Sequence, residues 1–216
     1  MADPDGELLQ RVCAGEDGAF VVLYECHRRA LFRFAYRMLG SVPAAEDLVH
    51  ECFLALLTQP GRFDPARGSL RTFLYAVTRN LAFKQMRRWG VETATDDLPE
   101  SGDGERGEAF GPLRRLLEGE RSEAVQAAVA SLPPLQREVV ILFEYEGHSL
   151  AEVAQIVAAE TGTVKARLHR ARERLRRRLA PWLAETADAV AESGVVETPL
   201  AETAGRPKGR PVEGMV

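Results

Sequence analysis

Cysteine is scarce in this 216-residue chain: only Cys13, Cys26 and Cys52 are present, an odd number with no C-x-x-C spacing. That excludes a disulfide framework and a sequence-spaced zinc site, and the expectation is reduced, mostly buried thiols. Long apolar runs are missing too, and the first residues are acidic and without the apolar core of an export signal. No membrane insertion is expected, and the reading is a cytoplasmic protein. There is no Gly-rich phosphate loop, no nucleophile elbow and no paired metal ligands, so no catalytic residue, metal or cofactor is assigned and an enzyme is disfavoured. Alternating strand patterns and internal repeats are also lacking. What remains is an all-α chain.

Hydrophobic residues make up 45% of the composition, enough for one large or two small cores. The net charge is −4, yet from Thr163 to Arg178 there are eight Lys/Arg and one acidic residue, so the rest of the chain carries −11. Positive charge concentrated on one segment points to a phosphate-bearing partner. Just upstream, Ser149 and Glu152 fit a capping box, predicting a short helix from about Leu150 whose Val153, Ala154 and Val157 share a face. A break at Glu160, Thr161 and Gly162 precedes a longer helix. Val164, Leu168, Ala171, Leu175 and Leu179 form its docking stripe, opposite Ala166, His169, Arg170 and Glu173. A capped short helix, a turn and a basic helix read as a helix-turn-helix. The competing structural reading is a merely solvated basic helix, with Glu173 pairing to Arg177.

Earlier in the chain, Leu8, Leu9 and Val12 suggest a first small helix. A long amphipathic helix follows from Phe20 to Met38, stopped by Gly40, with His27 as a core histidine. Pro43 suits the first turn of the next helix, which runs to about Thr58. Its buried positions are Leu48, Val49, Cys52, Phe53, Leu56 and Leu57, leaving Asp47, His50, Glu51 and Leu54 outside. Leu54 is either an ordinary exposed leucine or an anchor for a partner. Ser69 caps a helix to about Trp89, with an inner stripe of Leu70, Phe73, Leu74, Val77 and Leu81 and an outer face of Thr72, Tyr75, Arg79, Phe83 and Met86. Residues 70–90 hold five basic residues and no acidic one. Aromatics among arginines suit single-stranded nucleic acid, and the alternative is that Tyr75 and Phe83 pack on another helix.

From Val91 to Gly111 the chain has seven acidic residues, four glycines and one arginine, the composition of a flexible linker. Beyond it, Pro133 and Pro134 open a helix with Leu135, Val139, Leu142 and Phe143 buried, closed by Gly147. After the basic helix, Pro181–Ser193 has the pattern of one more amphipathic helix. The Pro/Gly-rich tail beyond it contains Arg206-Pro207-Lys208-Gly209-Arg210-Pro211, similar to the core of an AT-hook peptide or simply a flexible tail.

Three motifs now carry a resemblance: Glu46-Asp47-Leu48-Val49-His50-Glu51-Cys52-Phe53, Phe73-Leu74-Tyr75-Ala76-Val77-Thr78-Arg79-Asn80-Leu81-Ala82, and Gly162-Thr163-Val164-Lys165-Ala166-Arg167-Leu168-His169-Arg170-Ala171-Arg172. The chain resembles a sigma-70 family RNA polymerase sigma factor of the extracytoplasmic-function group. The resemblance implies two small helical domains: residues 1–90 (region 2) for core polymerase docking on the clamp helices and −10 recognition and melting, and residues 120–180 (region 4) for the −35 element. Residues 91–119 become the linker and 181–216 a C-terminal extension. It implies polymerase contacts from Asp47, His50, Glu51 and Leu54. The −10 element falls to Phe63, Arg67, Ser69, Arg71, Tyr75, Arg79 and Asn80, and the −35 element to Thr163, Lys165, Ala166, Arg167, His169, Arg170 and Arg172. The loop Phe63–Ser69 would capture a flipped base, the acidic linker would run through the channel later taken by RNA, and an anti-sigma factor is an expected partner. The chain departs from the family pattern at His50 in place of glutamine, Phe73 in place of tryptophan and Lys84 in place of an acidic residue. The alternative function is an autonomous helix-turn-helix regulator whose N-terminal helices dimerise or sense a ligand.

Overall fold

Helix α1 spans Pro4–Cys13, α2 Ala19–Leu39, α3 Val42–Thr58 and α4 Leu70–Arg88, with short 3-10 turns at Pro60–Arg62 and Pro65–Arg67. After the linker come α5 (Glu120–Ala130), α6 (Pro134–Val140), α7 (Leu150–Val157) and α8 (Thr161–Ser193). These are the elements of a computed structural model that describes residues 4–16, 18–91 and 120–193; the side chains of 120–122 and 181–193 are not described. The acidic linker and the segment Arg206–Pro211 fall outside the described residues. Among the described residues there is no strand, and no helix is long and apolar enough to cross a membrane.

The termini of the N-terminal helices follow from local chemistry. Gly40 takes the left-handed conformation (φ 70°) and donates to the Tyr36 carbonyl, ending α2. Ser41 accepts from the Ala44 amide to start α3, and Ser69 accepts from the Thr72 amide to start α4. Leu23, Leu31, Phe34 and Met38 of α2 meet Leu48, Cys52 and Leu56 of α3 in the core. Each large side chain so buried contributes about 1.5–3 kcal/mol. Cys52 sits within this core, where burial pushes its thiol up to about 11. Cys13 and Cys26 are exposed, against the expectation of mostly buried thiols, because each lies off the packed face of its helix.

Two faces differ from the periodicity reading. Leu57 is exposed rather than buried, next to Leu54 at the end of α3. In α4 the supposed outer face is the more buried one: Thr72, Tyr75, Phe83 and Met86 are in the core, while Phe73, Val77 and Leu81 are only partly covered. The reason is that α4 has apolar residues on every side and is packed from more than one direction, by α2, α3 and α7. One stripe cannot describe it.

The described residues up to Ala180 form one compact unit, with a core drawing on both the N-terminal and the C-terminal helices, and the part of α8 from Pro181 belongs to a second. Arg137 helps join the halves of the first unit. It donates to the Met38 carbonyl of α2 (2.8 Å) and to the carbonyls of Leu132 (3.0 Å) and Ala130, and burial pulls its guanidinium down to about 10. The helix begun at Pro134 continues as a π-helical turn, Ile141–Tyr145. Its wider winding, with the Glu146 amide bonded to the Ile141 carbonyl (3.0 Å), redirects the chain just before Gly147 (φ 70°). The second amphipathic helix expected at Pro181–Ser193 is instead the continuation of α8. A single proline removes one backbone bond and need not end a long helix.

Candidate nucleic-acid interface

The capping box at the start of α7 is present in full. The Ser149 hydroxyl oxygen accepts from the Glu152 amide (3.2 Å), and the Glu152 carboxylate accepts from the Ser149 amide (2.8 Å), which holds that carboxyl below its ordinary range. The turn begins at Ala158 in the left-handed conformation (φ 52°), so α8 starts at Thr161, earlier than the expected break at Glu160–Gly162. Val153, Ile156 and Val157 of α7 pack with Val164, Leu168 and Ala171 of α8. This fixes which way the basic helix points. Lys165, Ala166 and His169 are exposed, with Thr163 and Arg170 half-buried beside them. Arg172 is tied to Glu144 (2.5 and 3.1 Å) and lies over the Phe143 ring. Glu173 pairs with Arg176.

The residues expected at the −10 element have a different environment. Arg67 and Asn80 are exposed, Phe63 is half-buried with its ring 5.7 Å from that of Phe73, and Ser69 is spent on its cap. Arg71, Tyr75 and Arg79 face the C-terminal helices. Arg71 donates to the Glu146 carbonyl (2.6 Å), and the Tyr75 hydroxyl donates to the Glu146 carboxylate (2.8 Å). Arg79 grips Glu138 with two bonds of 2.7 and 3.2 Å. Tyr75 is only 1% exposed, edge-on to His148 (centroids 4.5 Å apart) and to Phe34. Burial, reinforced by the charge of Glu146, raises its phenol above the ordinary value. Here Tyr75 and Phe83 pack against helices, and the exposed stacking face read from the sequence is absent. His148 is itself buried, neither ring nitrogen has a protein partner, and burial together with Arg71 lowers its affinity for a proton.

On the far side of the N-terminal helices, Asp47, His50, Glu51 and Leu54 are all exposed on α3, with Leu54 at 61%. Beside them a groove of about 280 Å³ runs between α3 and α4, lined by Asp47 and Glu51 on one wall and Lys84 and Arg88 on the other.

Residues 23–90 match the family described as Sigma-70 region 2, and residues 122–175 match Sigma-70, region 4. The ECF RNA polymerase sigma factor SigL of Mycobacterium tuberculosis is 31% identical over 166 residues, covering 76% of this chain and 90% of that protein. The chain belongs to the extracytoplasmic-function group of the sigma-70 family. The ECF RNA polymerase sigma factor SigE of Mycolicibacterium smegmatis is 34% identical over 161 residues, or 74% of this chain; the match spans 62% of that longer relative. Among solved structures, the sigma factor RpoE of Bartonella quintana, in complex with the anti-sigma factor NepR, superposes with a TM-score of 0.52 at 25% identity, covering 71% of this chain and 91% of that one.

Within this sigma factor the groups that sequence reasoning missed are Glu138, Glu146, His148, Arg33 and Arg37. Arg33 and Arg37 of α2 approach the Glu146 carboxylate at 3.4 and 3.3 Å, and Arg37 also lies over the Tyr145 ring. Arg167 of α8 comes within 3.6 Å of Glu138. One signal was available: Glu138 lies three residues after Leu135 and four before Leu142, on the very stripe assigned to the core. A carboxylate there requires a buried cation.

Proposed function

We propose that this sigma factor binds core RNA polymerase and directs promoter-specific initiation, with region 2 recognising and melting the −10 element and region 4 reading the −35 element. The observation that carries the reading is the orientation of α8: its apolar stripe is consumed by α7 and its neighbours, leaving Lys165, Ala166 and His169 outward on a basic helix, as major-groove entry requires. Arg71, Tyr75 and Arg79, with the loop Phe63–Ser69, would take the −10 strand. Asp47, His50, Glu51 and Leu54 would dock on the clamp helices, an apolar anchor within a charged rim. The chain is assigned to the cytoplasm as a non-catalytic initiation factor. An anti-sigma protein is its proposed regulator, on the precedent of the relative solved with NepR.

The test is reconstitution: the purified chain is mixed with core polymerase, and run-off transcription is measured on a promoter library. Promoter-selective transcripts that depend on both components are expected. Leu54→Asp should abolish co-elution with core enzyme while leaving helicity intact, and normal assembly of that variant removes α3 as the docking surface. The rival autonomous regulator predicts tight duplex binding without polymerase.

A further inference from the structure

Two carboxylates of the C-terminal helices are removed from water. The Glu138 side chain is 0% exposed and that of Glu146 is 1% exposed. A buried carboxylate is tolerated only when cations and donors surround it. The cations here come largely from the residues assigned to promoter DNA. Glu138 is held by Arg79 of region 2 and approached by Arg167 of the recognition helix, and Glu146 by Arg33, Arg37 and the Tyr75 hydroxyl, with Arg71 on its carbonyl. Gly68, at the end of the loop proposed for base capture, also lies against α7, since a Cβ there would sit 3.2 Å from the Gln155 Oε1, while Asp64–Arg67 stay exposed.

A carboxylate and a phosphodiester present the same chemistry to a guanidinium: one delocalised negative charge on two oxygens. We propose that Glu138 and Glu146 are internal surrogates for DNA phosphates, and that Arg33, Arg37 and Tyr75 form a phosphodiester seat for the non-template strand that Glu146 fills until regions 2 and 4 part. Arg33 and Arg37 thereby join the DNA-binding set, although they lie on α2, outside the loop, α4 and α8 that carry its other cations. Two arginines converging on one carboxylate, Arg33 and Arg37, repel one another unless an anion lies between them. Opening the chain removes Glu146 and leaves that seat for the nearest oxyanion, which in the initiation complex is the strand backbone. The same cations cannot serve both, so the closed chain and the promoter-bound chain exclude each other.

This inference rests on the proposed function, and the experiment separates the two. Wild-type holoenzyme must first give promoter-selective run-off transcripts; without them the proposed function itself fails. The full-length chain alone is then titrated with a fluorescent single-stranded −10 oligonucleotide. The double variant Glu138→Gln with Glu146→Gln keeps side-chain shape and removes the charge. It should bind about tenfold tighter than wild type, as expected if no more than roughly one free molecule in ten is open. Adding Arg33→Ala and Arg37→Ala should reverse the gain and flatten the salt dependence by roughly 0.7 in log–log slope for each phosphate no longer neutralised. Equal binding by wild type and the glutamine variant overturns the surrogate role. If that variant fails to fold by circular dichroism, Arg33→Ala with Arg37→Ala is measured in the holoenzyme. An unchanged salt slope there overturns the phosphate seat.

Discussion

The two faces proposed for nucleic acid in this sigma factor are built on opposite terms. Helix α8, proposed for the −35 element, shows Lys165, Ala166 and His169 to solvent, whereas Arg71, Tyr75 and Arg79 of α4, proposed for the −10 element, are turned inward onto Glu138, Glu146 and His148. The difference lies in amphipathicity. Helix α8 has one apolar stripe over its recognition segment and one surface to dock, so its opposite side must be polar and free. Helix α4 is apolar in several directions, with cations interspersed, and can bury any side that finds a complementary neighbour. A face that reads single strands by stacking needs aromatic surface, and aromatic surface left unoccupied is driven to bury itself.

The strongest way to break this contrast is to remove the cation that holds the most buried carboxylate. Arg79→Met keeps much of the packing volume and removes both short bonds from Arg79 to Glu138, so urea unfolding should show a loss of about 3 kcal/mol, the low end for breaking a buried pair. A loss no greater than that of an exposed pair would mean that the contact between Arg79 and Glu138 contributes little to holding regions 2 and 4 together.

On the open face the effects should be smaller and should depend on sequence. Arg170→Ala should cost about 1–3 kcal/mol at one position of a −35 library, whereas Lys165→Ala should weaken all members alike and reduce the salt slope by about 1. If both act uniformly, Arg170 reads no base. Smaller still is the cap: Ser149→Ala should cost about 1 kcal/mol of stability, since the Glu152 amide loses its acceptor. Because Ser149 caps the first helix of the helix-turn-helix, the variant should impair −35 binding, while the binding of a single-stranded −10 oligonucleotide by the free chain should not fall.

Legibility followed the same division. The capping box, the docking stripe of α8 and the exposed arc of α3 could be read from spacing, because each depends on one periodic face and a local cap. The buried side of α4 could not, since Tyr75 and Phe83 are covered by residues remote in sequence; Tyr75 meets Glu146 and His148 across 71 and more positions. The turn before α8 was displaced because Ala158, not a glycine, takes the left-handed conformation. Nor did any local rule announce the π-helical turn that delivers Glu146 to its arginines.

The subtlest expected effect is a pH dependence confined to the covered face. His148 is packed edge-on against Tyr75, with Arg71, Glu146 and Glu152 as its charged neighbours. The two carboxylates favour a proton on the ring, but burial and Arg71 outweigh them, so the closed chain accepts the neutral imidazole. A His148 released to solvent regains the ordinary value of about 6.5 and takes up a proton that the buried ring resists. Stability of the closed form is therefore complete above that value and declines as pH falls through it, because the opened form binds more protons there. The free chain should bind a single-stranded −10 oligonucleotide a few-fold better at pH about 6 than at about 7.5, beyond any change seen with an unstructured basic peptide. His148→Phe sharpens the test. It keeps a ring against Tyr75, removes two nitrogens that have no protein partner and cannot titrate, so it should hold the chain closed and flatten the pH profile. A profile that stays as steep in the phenylalanine variant would assign the acid response to the carboxylates instead.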